Sequence, residues 1–163
     1  MPVRQVLVFL TSWGVYRCGK SWLTTDGDSV VSPVGNRVTR FDLKNSKSET
    51  FAIESRLNIV CVALSPDGFS AVFVDEGGGA LLCSLISKTV LHHFSFNRPV
   101  SCVKYSPDGK KLAVTKENVA LVYTTPCSTS REFNPLMLHR TYYGAYDETT
   151  CIDWTSDSKY AQS

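Results

Sequence analysis

One short text recurs along this chain at a nearly constant interval, and that repetition constrains the fold more than any other feature. It reads Val60-Cys61-Val62-Ala63-Leu64-Ser65-Pro66-Asp67-Gly68, then Ser101-Cys102-Val103-Lys104-Tyr105-Ser106-Pro107-Asp108-Gly109, then Thr150-Cys151-Ile152-Asp153-Trp154-Thr155-Ser156-Asp157-Ser158. A fainter copy, Thr24-Thr25-Asp26-Gly27-Asp28-Ser29, precedes them. Asp26, Asp67, Asp108 and Asp157 stand 41, 41 and 49 residues apart, the last interval reading as an eight-residue insertion between Tyr123 and Thr150. Units of about this length bury their apolar faces by stacking on one another rather than by folding alone.

Each copy predicts the same local structure. The residues before Ser-Pro-Asp-Gly are β-branched, aromatic or small and apolar, which suits a strand buried on both faces. Ser-Pro-Asp-Gly predicts a type I turn, with proline pre-setting φ at the second position, aspartate at the third and glycine closing the fourth. Residues 70–74 and 111–115 predict second strands, 80–85 and 119–123 third strands, and 89–94 a fourth. Nothing sustains a helical period. Four antiparallel strands repeating about every 40 to 45 residues make a propeller blade. The expectation is therefore all-β: an incomplete WD-repeat β-propeller of about three blades plus the start of a fourth. Blades are predicted at 15–56, 57–99, 100–146 (with an insertion at 124–146) and a truncated 147–163. Since three blades and a part do not close a ring, the chain is expected to be a fragment, an alternative product or an incompletely delimited gene.

Charge and hydrophobic patterning narrow the function classes. Lys and Arg number 17 against 15 Asp and Glu, a net +2 too mild to argue for nucleic acid or an anionic membrane. The apolar run at 6–10 is far short of the roughly 20 residues of a membrane helix, and no small-residue cleavage site follows it. No Asn-x-Ser/Thr acceptor occurs, which favours an intracellular setting. The six cysteines, Cys18, Cys61, Cys83, Cys102, Cys127 and Cys151, contain no C-x-x-C pair. Cys61, Cys102 and Cys151 hold one place in the repeat, where a small side chain lets sheets approach; they are expected to be reduced and buried, not disulfide-linked or zinc-bound.

Residues that resemble chemical sites have blander explanations. His92 and His93 are adjacent in a strand and point to opposite faces, so they cannot easily chelate one metal, and His139 has no evident partner. Gly77-Gly78-Gly79 matches no phosphate-binding spacing and reads as a hairpin loop. Asp147, Glu148 and Asp153 lack a nucleophile or base beside them. No catalytic residue, metal or cofactor is expected. The insertion, carrying Arg131, Phe133, Leu136, Met137, Leu138, Tyr142, Tyr143 and Tyr146, is either a binding surface or a cover for the blade edge.

The wording between the turns is more specific than a blade requires. Ser32-Pro33-Val34-Gly35-Asn36-Arg37-Val38, Val74-Asp75-Glu76-Gly77-Gly78, Val90-Leu91-His92-His93-Phe94 and Asp147-Glu148-Thr149-Thr150-Cys151-Ile152-Asp153-Trp154 resemble the beginning of the periodic tryptophan protein 2 family, over Trp13 to Lys159. Residues 1–12 depart from the family's usual start. The resemblance implies a non-catalytic WD-repeat scaffold of the nucleolar small-subunit processome, acting in small ribosomal subunit assembly and pre-rRNA processing. Its partners would be other processome proteins, with pre-rRNA and small nucleolar RNA contacted indirectly or weakly, and neither membrane nor small-molecule substrate. Two alternatives remain open: a propeller contacting RNA directly through Arg37, Arg40, Lys44 and Lys47, and an adaptor in a complex outside the nucleolus.

Overall fold

The structure, a computed structural model, describes residues 21–24, 26–126, 135–143, 149, 151–156 and 161–162. The Asp157 turn, Asp147, Glu148, Arg131, Phe133, Tyr146, Cys18, Cys127 and residues 1–12 lie outside them. Every described element is a strand. The first sheet runs β1 (Trp22–Leu23), β2 (Ser29–Val34), β3 (Arg37–Asp42), β4 (Lys47–Glu54). The second runs β5 (Ile59–Leu64), β6 (Ser70–Asp75), β7 (Gly79–Ser84), β8 (Thr89–Ser95). The third runs β9 (Cys102–Tyr105), β10 (Lys111–Lys116), β11 (Val119–Thr124), β12 (Met137–Tyr143), and β13 (Asp153–Trp154) pairs with β14 (Ala161–Gln162) after it. All pairings are antiparallel between neighbours in the chain, which is the meander of an incomplete WD-repeat propeller.

The repeated text builds the same turn three times. The amides of Gly27, Gly68 and Gly109 each donate to the carbonyl three residues back, on Thr24, Ser65 and Ser106, at 2.9 Å. These glycines have φ of +72°, +73° and +71°, left-handed values that a side chain makes costly. Asp67 Oδ1 accepts from Phe69 N at 2.9 Å and Asp108 Oδ1 from Lys110 N at 3.1 Å, which explains the aspartate. The hydroxyl that opens the turn closes the hairpin behind it. Ser106 Oγ accepts from Lys111 N at 2.9 Å, and Thr24 Oγ1 from Ser29 N at 3.2 Å.

Strand alternation then sends the apolar residues to two interfaces. Val62, Leu64 and Phe73 of the second sheet pack on Val31, Val38, Phe51 and Ile53 of the first. Cys61, Ala63, Val72 and Val74 face the other way, onto Val103, Leu112 and Val114 of the third. Cys61 Sγ lies 3.5 Å from the Ser101 carbonyl oxygen and 3.7 Å from that of Val100, so its small size sets how closely β9 approaches. Cys102 repeats the arrangement one sheet on, beside Ile152.

The insertion has a defined place. β11 and β12 are joined by residues 125–136, twelve residues where the equivalent turns of the other two sheets use four, and that difference of eight is the excess of the 49-residue interval. The rest of the predicted 124–146 insertion is largely β12, the outer strand of its own sheet.

Two outcomes test this account. A Cβ on Gly78 (φ +84°) would sit 2.1 Å from the Arg98 carbonyl oxygen, whereas one on Gly27 meets nothing within 4 Å. Gly78→Ala should therefore cost about 3 kcal/mol or more and Gly27→Ala about 1 kcal/mol, read from urea unfolding midpoints. Burial pushes the Cys83 thiol up to about 12. The fold holds the neutral thiol, so its contribution is complete below the ordinary thiol value near 9 and is lost as pH climbs from there toward 12. Burial raises Tyr105 and Tyr123 as well, so Cys83→Ala should shallow the alkaline fall in stability without abolishing it.

Candidate protein-interaction surface

In the first sheet, cross-strand register aligns Trp22, Val31, Arg40 and Glu49 in one row. Residues directly opposed across neighbouring strands share a face, and this row faces the second sheet. Near the Ser65–Gly68 turn the two sheets part around a cavity of about 570 Å³. Trp22, Val31, Arg40 and Phe51 line it from the first sheet, Leu64, Pro66, Phe69, Leu85 and Ile86 from the second, and Tyr105 from the third. At its edge Leu23, Phe69 and Ile86 are 52%, 58% and 70% exposed.

The cavity is bordered by donors and carboxylates alike. Trp22 Nε1 is buried without a hydrogen-bond partner among the described residues, while the Tyr105 hydroxyl, also buried, is hydrogen-bonded by the Ser70 side chain. Burial raises the Tyr105 hydroxyl, and the nearby Ser70 side chain offsets that rise only in part. Buried donors left without acceptors are uncommon, each costing about 1–3 kcal/mol. Arg40 is half-buried; its cross-strand neighbour Glu49 is engaged by Lys88 of the second sheet. Asp26 and Asp67 also border the cavity; Asp67 is exposed. No sequence motif points to this site. Its signal is Arg40 itself: the matching positions of the second and third sheets, by register, are Leu82 and Val122, both buried.

The residues singled out by sequence are distributed differently. Arg37, Arg40, Lys44 and Lys47 do not form one basic patch. Arg37 and Arg40 are three apart on β3 and so lie on opposite faces. Arg37 Nη2 donates to Glu54 at 3.1 Å and Asn36 Nδ2 to the same carboxylate at 2.7 Å; Asn36 first, then Arg37, hold Glu54 below the usual carboxylate range. Lys44 lies 4.0 Å from Asp28. His92 and His93 are exposed neighbours on β8, His139 is exposed on β12, and among the described residues no three His, Cys, Asp or Glu side chains converge as a metal site.

Gly77 and Gly79 turn their amides inward, donating to Asp75 Oδ1 at 3.0 and 2.7 Å, while Ser55 Oγ donates to Asp75 Oδ2 at 3.0 Å. The glycine turn thus wraps an internal carboxylate, and those amides are not available to a phosphate. Asp153 pairs with Lys104 at 3.0 Å, which is the main reason its carboxyl is held low. Of the insertion residues, Leu136 is core, packed against the second-to-third sheet interface, while Met137, Leu138, Tyr142 and Tyr143 are exposed on β12. Arg140 stands 5.9 Å from the centroid of the Tyr142 ring.

Comparison with known proteins gives this arrangement its context. No family profile matches the chain. The periodic tryptophan protein 2 homolog of Mus musculus is 59% identical over 145 residues, 89% of this chain and 16% of its own length. The Schizosaccharomyces pombe homolog is 42% identical and periodic tryptophan protein 2 of Saccharomyces cerevisiae 40% identical, each over 147 residues and 90% of this chain. The chain belongs to the periodic tryptophan protein 2 family. It spans about 16% of the length of the family members it matches. The solved structure of Kuenenia stuttgartiensis hydrazine synthase superposes with a TM-score of 0.71 at 19% identity, over 93% of this chain and 43% of that one, a likeness of fold alone.

In this member of the periodic tryptophan protein 2 family, the division of β12 and the loop before it into surface and core is testable. Leu136→Ala should cost about 3 kcal/mol by opening a cavity between sheets, whereas Tyr143→Ser, at a side chain 81% exposed, should shift stability by no more than about 0.5 kcal/mol in urea unfolding.

Proposed function

We propose that this chain is a non-catalytic scaffold in ribosome biogenesis, docking other protein subunits during nucleolar assembly of the small ribosomal subunit and processing of its RNA precursor. Membership of the periodic tryptophan protein 2 family carries the reading, through 59% identity across 89% of the chain. The surface is consistent with docking: exposed Leu23, Phe69 and Ile86 surround a cavity between sheets, and Met137, Leu138, Tyr142 and Tyr143 crowd one outer strand. Aromatic and aliphatic side chains of this kind anchor protein interfaces. Contact with protein is favoured over direct RNA binding because the four cations near the first repeat are split between faces and two are engaged by carboxylates. RNA and small nucleolar RNA then lie within reach of the assembly through its other subunits.

The test is affinity purification of the tagged chain from cells with identification of what accompanies it. Recovery of small-subunit assembly factors, together with nucleolar signal in imaging, is the expected result. A diffuse cytoplasmic signal with none of those factors recovered would overturn the proposal.

A further inference from the structure

The outermost strand of the third sheet has an open edge that differs from those of the other two sheets. Going deeper than the scaffold reading on which it rests, we infer that β12 pairs along that edge with an extended segment of a partner protein, which sets an acidic side chain beside Arg140.

β12 ends the order β12-β11-β10-β9, so the outward N–H and C=O groups of this strand have no ladder partner among the described residues. Proteins ordinarily blunt such an edge with charged side chains or a covering segment. β4, the matching strand of the first sheet, carries Lys47, Glu49 and Glu54, buries Phe51 and Ile53, and is tied to the second sheet through Glu49 and Lys88. β8 exposes one large apolar side chain, Leu91. β12 exposes four, Met137, Leu138, Tyr142 and Tyr143, and six of its seven residues lie open. Its register shift falls between Val122 and Tyr123, which leaves Arg140, Thr141, Tyr142 and Tyr143 in regular pairing with β11 and fit to template a further strand.

The two faces of the edge ask for different things. Leu138 and Tyr143 stand opposite Tyr123 and Val119, on the side toward the second sheet. Arg140 and Tyr142 stand opposite Val122 and Ala120, on the other side, with the guanidinium 5.9 Å from the Tyr142 ring centroid. An added strand therefore meets apolar groups on one face and a cation on the other. Neither β11 nor β12 contains a carboxylate, and among the described residues none pairs with Arg140. A carboxylate brought from outside can take two parallel bonds from that guanidinium.

Charge and backbone chemistry decide between occupants. A second copy pairing antiparallel over the whole strand sets Arg140 against Arg140, and like charges directly opposed are destabilising. A nucleic acid has no backbone N–H to give the open carbonyls of the edge, whereas an added strand satisfies both donors and acceptors. The occupant is thus an acidic, β-forming segment of another protein.

The experiment uses the 163-residue chain and fluorescein-labelled peptides Gly-Ser-Val-Thr-Val-Xaa-Val-Thr-Val-Ser-Gly, with Glu, Gln or Lys at Xaa. Binding is followed by polarisation and by hydrogen exchange of the β12 amides. The Glu peptide should bind about tenfold more tightly than the Lys peptide, with Gln between them, and should slow exchange along β12. N-methylation of one or other alternate set of peptide amides strips the donors from one edge and should abolish binding. Arg140→Glu, at an exposed side chain, should reverse the order and make the Lys peptide the tightest. Equal affinity for the three peptides, an unchanged order in Arg140→Glu, or binding that survives both patterns of N-methylation would overturn the inference. So would displacement of the Glu peptide by oligouridine at physiological salt, or by a dimer of the chain at high concentration. Failure of the scaffold reading shows instead as loss of assembly factors from the wild-type chain in cells, so the two failures are distinguishable.

Discussion

The second sheet has two apolar faces, and nothing within one sheet can bury both. Cys61 and Ala63 point one way while Val62 and Leu64 point the other, from four consecutive residues of one strand. Only a sheet on each side removes that surface from water, at roughly 25 cal/mol per Å². Several other features serve that stacking. The small cysteine lets β9 come close, Leu136 just ahead of β12 seals the third sheet against the second, and charged pairs such as Arg98 with Glu117 sit at the exposed margins. Such exposed pairs contribute little individually; they mark where the contact ends.

Much of this was legible because turn chemistry is local. Proline, aspartate and glycine impose their geometry within four residues, so equal spacing of Asp26, Asp67 and Asp108 translated directly into equal hairpins. Strands β5, β6, β9 and β10 were legible for the same reason: they flank the turns and are nearly continuous apolar runs. Outer strands were harder. β4 shows its buried alternation only at Phe51 and Ile53, and β12 exposes six of its seven residues, so it carries no period that separates it from the insertion beside it.

The cleft was not legible, and the reason is geometric. Its lining comes from three repeats, with Trp22, Arg40 and Tyr105 drawn from β1, β3 and β9. No short window along the chain contains them together. Motifs are made of neighbours in sequence. On that basis the glycine run reads as a hairpin turn, which it forms around Asp75, while Arg37 is grouped with Arg40, which strand alternation separates. A comparison of repeats position by position, and not motif by motif, exposes the arginine that stands where leucine and valine stand elsewhere.

The Asp75 arrangement bears on shape at a larger scale. Ser55 belongs to the passage between the first and second sheets, and its bond to Asp75 ties that passage to a turn the aspartate already holds through Gly77 and Gly79. The carboxylate therefore acts as a protractor, setting the angle at which one sheet hands the chain to its successor. In a circular array any error in that angle is inherited by each later member, so this carboxylate, with the backbone bonds from Ser55 N to Asn36 O and from Glu76 N to Asn58 O beside it, bears on every sheet that follows.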